Sequence, residues 1–294
     1  MELNEYQLEA QRTLQTIKPE YDLVVPLLGI SGEVGELLNA YKKRIRDGDA
    51  HIRFSDQVAE ELGDILWYLS DIATKFGLSL DDVALKNLNK VNDRWGSKND
   101  HVQTPARIFD ANFPIEQRLP RHFQARFEQM SKDGQLAVSV YVAGTQMGQS
   151  LTDNSHEVDG YRFHDVFHLA CAAVLGWSPV TRRNLNKKRR HPPIFDEVED
   201  GGRAIVTEEG ISALVFAYAS EHARMSEVFA VDYQLLKAIR NMTSKFEVAV
   251  CTTGEWERTI LLGYEVWRQV EEHSGGLVNV NLDERSVTYE GAVS

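Results

Sequence analysis

The sequence predicts a mainly α chain, built as an N-terminal four-helix bundle over residues 1–96 and a C-terminal α+β domain over residues 105–294. Three observations carry that expectation. Helical stripes of apolar residues fill the chain as far as Trp95, broken at Pro19, Gly48 and Gly77. The stretch Gly96 to Asp100 then holds no apolar residue and reads as a linker. Beyond it, period-two alternation marks both ends of the remainder, with helical patterns between them.

Leu3, Tyr6, Ala10, Leu14 and Ile17 recur at helical spacing and place a first helix over Asn4 to Ile17, with Gln7 and Gln11 on another face. Pro19 and Asp22 interrupt it. A second helix is expected from Leu23 to Arg46; the cations Lys42, Lys43 and Arg44 suit its C-terminal end and Gly48 suits its stop. A third runs from Ser55, read as its N-cap, to Phe76, with Gly77 ending it. The fourth opens at Ser79, with a loose capping box from Ser79 to Asp82, and ends near Trp95 and Gly96.

In the second half, Arg121 to Met130 and Gln135 to Gly144 alternate around Ser131-Lys132-Asp133-Gly134, the pattern of a β-hairpin. Leu277 to Leu282 and Ser286 to Tyr289 alternate likewise around Asp283-Glu284. Helical patterns lie between, over His164 to Leu175, Pro179 to Arg190, Thr207 to His222, Asp232 to Lys245 and Glu255 to His273. Gly77-Leu78-Ser79 with Asn87-Leu88-Asn89-Lys90 is echoed by Gly176-Trp177-Ser178 with Asn184-Leu185-Asn186-Lys187. The echo needs a two-residue gap and lacks a second acid pair, so duplication is the weaker of its two readings.

Composition bounds the function. The 294 residues are 43% hydrophobic and 26% charged, enough for two ordinary domains. A formal charge of −12 argues against a protein that coats nucleic acid. Cys171 and Cys251 make no disulfide framework, and Met1-Glu2-Leu3-Asn4-Glu5 has none of the character of a signal peptide. With no apolar run near the roughly 20 residues of a membrane span, a soluble cytoplasmic protein is expected.

The clearest chemistry lies between Gly32 and Asp64. Glu33-x-x-Glu36 and Glu61-x-x-Asp64 place two carboxylate pairs on neighbouring helices, each pair about 60° apart on one face. Four acids converging on one space repel unless cations compensate them. Oxygen ligands with no Cys or His among them point to Mg²⁺ or Mn²⁺. The alternative is ordinary solvated charge, which the apolar neighbours Ile30, Val34, Leu37, Leu38, Ile65 and Leu66 disfavour, since they mark these helices as buried. Glu60 lies beside the set as a supporting group, a base or a merely exposed acid, with the base the weaker reading.

At these residues the chain resembles the MazG-like all-α nucleoside triphosphate pyrophosphohydrolases, whose signature is E-x-x-E, a spacer, then E-x-x-D. The spacer here runs from Leu37 to Glu60, and Asn87-Leu88-x-Lys90-x-x-x-Arg94-Trp95 is similar to the family's closing helix. One departure is Gly32, where many members carry another Glu. The second half resembles the domain that follows the catalytic module in longer MazG-type proteins, with no catalytic motif to carry over. The resemblance implies hydrolysis of a nucleoside triphosphate between its α- and β-phosphates, giving monophosphate and pyrophosphate. It implies Mg²⁺, with Mn²⁺ as an alternative, on Glu33, Glu36, Glu61 and Asp64, and assembly as a homo-dimer or tetramer. Asn87, Lys90 and Arg94 form one stripe that suits phosphate oxygens. Trp67 and Tyr68 are candidates for stacking on a base, against the blander reading of core aromatics, and Gln7 and Gln11 are further candidates to face the base. Two other functions stay open: hydrolysis of an alarmone-type signalling nucleotide, and a non-catalytic nucleotide sensor.

The C-terminal half offers a second candidate site. His164-Asp165-x-x-His168 puts two imidazoles on one helix face at metal-compatible spacing, with Glu208 and Glu209 as candidate further ligands. A hydrogen-bonded structural cluster is the competing reading. Arg182 to Arg190 carries six basic residues, read either as a solvated helix end or as a contact for phosphate, RNA or an acidic surface of the first domain.

Overall fold

The computed structural model describes residues 1–15, 18–99, 106–132 and 134–292, with backbone alone for 95–99 and 132. Ile17, the Trp95 side chain, the linker end Asp100 and the turn residue Asp133 lie outside the described residues. The chain divides into two compact units, Met1–Asn92 and Asp93–Ser294.

The first unit holds α1 (Leu3–Gln11), α2 (Val24–Asp47) and α3 (Phe54–Lys75), and α4 (Leu80–Asn99) begins in it. Helices α2 and α3 form an antiparallel hairpin that turns at Gly48, where a φ of +58° suits a residue without a Cβ. Tyr41 meets Phe54 near that turn with ring centroids 5.8 Å apart. Helix α1 lies along α3 and uses its amides as fasteners. The Gln7 Nε2 donates to Thr74 Oγ1 at 3.0 Å and to the Leu78 carbonyl at 2.9 Å, while its Oε1 accepts from the Leu80 N–H at 2.9 Å. Gln11 also donates to Thr74. Both glutamines therefore hold the turn between α3 and α4 instead of facing a base.

Three local expectations change. Helix α1 stops at Gln11, six residues short of Ile17, where Thr13 turns back to bond the Ala10 carbonyl through both its N–H and its hydroxyl. Ser55 lies inside α3, which starts at Phe54 with no side-chain cap. Gly96 to Asn99, expected in a linker, continue α4. At the start of α4, Ser79 Oγ does accept from the Asp82 N–H at 3.2 Å, as a cap should.

The buried apolar side chains described in the first unit are few and small: Ala10, Pro26, Ala40, Ala73 and Leu80. Of the six residues read as marking buried helices, Ile30, Leu37, Ile65 and Leu66 are half-buried, whereas Val34 is 40% exposed and Leu38 65%.

The second unit carries a five-stranded antiparallel sheet of order β3-β2-β1-β4-β5. Its strands are β1 (His122–Lys132), β2 (Gln135–Val142), β3 (Thr145–Leu151), β4 (Gly275–Asn281) and β5 (Ser286–Gly291). Alternate residues face inward, with Ala125 and Phe127, Val138 and Val140, and Val278 and Val280 all buried. The edge strand β3 was not expected from the sequence. Of its residues Thr-Gln-Met-Gly-Gln-Ser-Leu, only Met147 is buried, so it shows no apolar alternation.

Among the described residues the longer helical elements of this unit are α5 (Asp165–Ala170), which continues as a π-helical turn over Cys171–Leu175, α6 (Pro179–Asn184), α7 (Gly202–Glu221), α8 (Tyr233–Thr243) and α9 (Thr253–Glu272). Helix α9 packs on α5, β4 and β5. The two helices approach closely because Gly263 faces Ala170; a Cβ at Gly263 would sit 3.2 Å from the Ala170 Cβ.

The structure explains the echo between the halves as shared punctuation. Gly77 and Gly176 both end a helix at positive φ, and Ser79 and Ser178 both cap the helix that follows. There the likeness stops, because α6 ends at Asn184 whereas Asn87 to Lys90 are mid-helix in α4.

The basic run is divided: Arg183 and Arg190 are exposed, whereas Arg182 and Arg189 are not solvated. Arg182 and Arg189 are buried at 1% and 0% exposure. Arg182 pairs with Asp110 at 2.7 Å, and Arg189 with Asp200 and Glu247 at 2.7 Å each. The Arg189 guanidinium also lies over the rings of Phe113 and Phe195. Lys188 pairs with Asp196 nearer the surface.

Candidate functional site

In the first unit, the α2–α3 hairpin brings Glu33, Glu61 and Asp64 together, each with a carboxylate oxygen within 4.8 Å of the others. The antiparallel pairing does this. Gly29 and Tyr68 meet across the two helices, and one turn on from each stand Glu33 and Asp64. Glu36 lies a turn further along α2, exposed, with Asn39 donating to it at 3.4 Å. Its charge still reaches Glu61.

The Glu61 carboxyl is held above its ordinary range, first by partial desolvation, then by a hydrogen bond with Glu33 and by repulsion from Glu33, Glu36 and Glu60. Two acids sharing a hydrogen bond show a negative field, and the charges named as acting on Glu61 are all acidic. A dication fits it: the donors are all carboxylate oxygens, close enough to ligate one centre, and binding would remove the repulsion. Sequence reasoning missed Tyr6, on α1. Its phenol is raised first by burial and then by the Asp64 charge, whose field reaches it.

The other candidates are distributed as follows. Trp67 donates its indole N–H to Thr13 Oγ1 at 2.8 Å and meets Tyr68 edge-on at 5.0 Å. Asn87 and Lys90 are exposed on α4. The Arg94 guanidinium lies over the Tyr233 ring at 5.0 Å.

In the second unit the structure joins His164, His168 and Glu209, again with ligand atoms within 4.8 Å of one another. Glu208, adjacent in sequence, turns the other way. It is fully buried and accepts from His168 Nδ1 at 2.9 Å, Ser178 Oγ at 2.7 Å and the Val180 N–H at 2.9 Å. Burial works to lower the His168 pKa, but the Glu208 and Glu209 charges outweigh it and push the imidazole up to about 10. Asp165 is buried at the start of α5 and lines a cavity with His164 and Glu209.

The comparisons with known proteins agree with this layout. The family model for the MazG nucleotide pyrophosphohydrolase domain matches residues 26–97, and that for the MazG C-terminal domain matches residues 104–293. The chain belongs to the MazG family. A curated relative, the Gene 37 protein of Mycobacterium phage L5, is 39% identical over 69 residues, which is 23% of this chain and 60% of the phage protein. The chain thus spans less than two thirds of that relative's length. No solved structure matches it. Among the described residues, no helix is long and apolar enough to cross a membrane.

Proposed function

We propose that this MazG protein is a metal-dependent nucleoside triphosphate pyrophosphohydrolase, converting a ribo- or deoxyribonucleoside triphosphate and water to the monophosphate and pyrophosphate. The observation that carries the reading is the convergence of Glu33, Glu61 and Asp64 within a domain matched to the MazG pyrophosphohydrolases. Glu33, Glu61 and Asp64 hold Mg²⁺, or Mn²⁺, with Glu36 joining them from the next turn. When bound, the metal supplies positive charge to the triphosphate oxygens and lowers the pKa of a bound water. Asn87 and Lys90 present an amide and a cation to the departing pyrophosphate, and Trp67 and Tyr68 border the base. The 1–96 segment is the catalytic domain in this reading, and 105–294 a separate domain.

The working form we propose is a homo-oligomer in the cytoplasm. Leu27, Val34, Leu38, Tyr41 and Ile45 recur at three-, four- and seven-residue steps along α2 and are 40–75% exposed. Such a stripe on a unit with so small a core calls for a second copy to cover it.

Purified protein with Mg²⁺ and a panel of triphosphates, plus an alarmone-type nucleotide, tests the reading. Monophosphate and pyrophosphate from a triphosphate support it. Turnover of the alarmone alone moves the substrate class, and tight binding without turnover makes the protein a sensor.

A further inference from the structure

We propose that His164, His168 and Glu209 form a second metal centre, in the C-terminal domain, that takes a first-row transition dication of the zinc class. Two imidazole nitrogens and one carboxylate are a ligand set for such ions and not for Mg²⁺, so this centre is chemically distinct from the acid cluster of the first unit.

The imidazoles are oriented as metal ligands are. His168 Nδ1 is bonded to Glu208 Oε1 at 2.9 Å, and His164 Nδ1 lies 2.9 Å from the Tyr161 carbonyl. Both Nδ1 atoms are thereby committed, and both Nε2 atoms face Glu209. A carboxylate or carbonyl behind each histidine fixes its tautomer and leaves the opposite nitrogen to the metal. Glu208 is itself locked by Ser178 and the Val180 N–H, and Tyr161 stacks on the His164 ring at 4.3 Å.

A hydrogen-bonded cluster explains the arrangement less well. His168 is fully buried, yet its Nε2 makes no hydrogen bond. Glu209 Oε2 lies 3.3 Å from it and 3.6 Å from His164 Nε2, close enough for charge attraction but outside hydrogen-bonding geometry for either. A buried nitrogen aimed at a point shared with a second nitrogen and a carboxylate oxygen is accounted for by an ion at that point. His164 and Glu209 line a cavity of about 380 Å³ whose wall also includes Arg183 and Asn184. Arg183 Nη2 is 3.8 Å from Glu209 Oε1, so a small anion completing the shell would find a cation beside it.

The test is a Co²⁺ titration of chelator-stripped full-length protein in an E33Q/E61Q background, which silences the acid cluster, followed by visible absorption. One equivalent with d–d bands of nitrogen and oxygen ligation is expected. His164→Gln and Glu209→Gln, both at the cavity wall, should weaken binding at least a hundredfold, and Glu208→Gln about ten- to a hundredfold through loss of orientation. Thermal melts of the same variants verify folding. If the background protein takes up no Co²⁺, or if folded His164→Gln and Glu209→Gln bind as tightly as their parent, the proposal is overturned.

Discussion

Gly29 lies directly beneath the ring of Tyr68: a Cβ at Gly29 would fall 2.3 Å from the Tyr68 Cζ. The ring lies against α2 one turn from the acids. Gly29→Ala must push the ring out or the helices apart. A loss of about 1–3 kcal/mol is expected in the first unit's urea transition, with lower hydrolytic turnover. Tyr68→Ala should relieve much of the added penalty, so a double-mutant cycle will be strongly non-additive. An additive cycle would show that the two residues do not share this seam.

The α2 stripe yields a second expectation. Leu38 is 65% exposed at the centre of the stripe. Leu38→Glu should convert the oligomer to a 33.3 kDa monomer in sedimentation velocity at micromolar concentration. A wild-type protein that sediments only as a monomer with full activity would remove the oligomer from the account.

Arg189 tests the buried ion pairs of the second unit. Removing its guanidinium takes from Glu247 its 2.7 Å partner and leaves Asp200, at 0% exposure, with only Arg182 at 3.8 Å. Arg189→Ala should cost about 3–5 kcal/mol, whereas exposed Arg190→Ala should stay within about 0.5 kcal/mol. Equal effects in denaturant melts would mean that the run behaves as surface charge after all.

Glu255 gives a pH dependence. Burial works to raise its carboxyl, but hydrogen bonds from Arg107 and the Thr252 N–H, with the charges of Arg285 and Arg107, hold it below the ordinary 4.5. Because the folded value is the lower one, the unfolded chain binds more protons between the two. The stabilisation is complete above about 4.5 and is lost as pH falls through the folded value. Glu255→Gln should therefore melt lower than wild type at neutral pH and lose less stability on acidification. Melting curves that fall in parallel from pH 7 to roughly pH 3 would contradict this.

The sequence made α2, α3, the start of α4, both hairpins and the pairing of acids legible because local signals decide them: apolar period, stop glycines and i,i+3 spacing. It hid what distant partners decide. Arg182 and Arg189 read as solvated because Asp110 and Glu247 lie far off in the chain. β3 is a strand because β2 pairs with it, through a register shift, and not because its own residues alternate. The division of labour between Glu208 and Glu209 needed the helix phase of α7, which sets one carboxylate behind His168 and the other in front.

Pyrophosphate release from a triphosphate, measured for wild-type protein and for Asp64→Asn with and without Mg²⁺, tests the acid cluster as the catalytic centre. Wild type should release pyrophosphate only with Mg²⁺, and Asp64→Asn should lose about a hundredfold or more. The circular dichroism spectrum of the variant should be unchanged, since amidation relieves repulsion among the acids. Release by Asp64→Asn at near wild-type rate, or release by wild type that persists after the metal is chelated, would contradict that assignment.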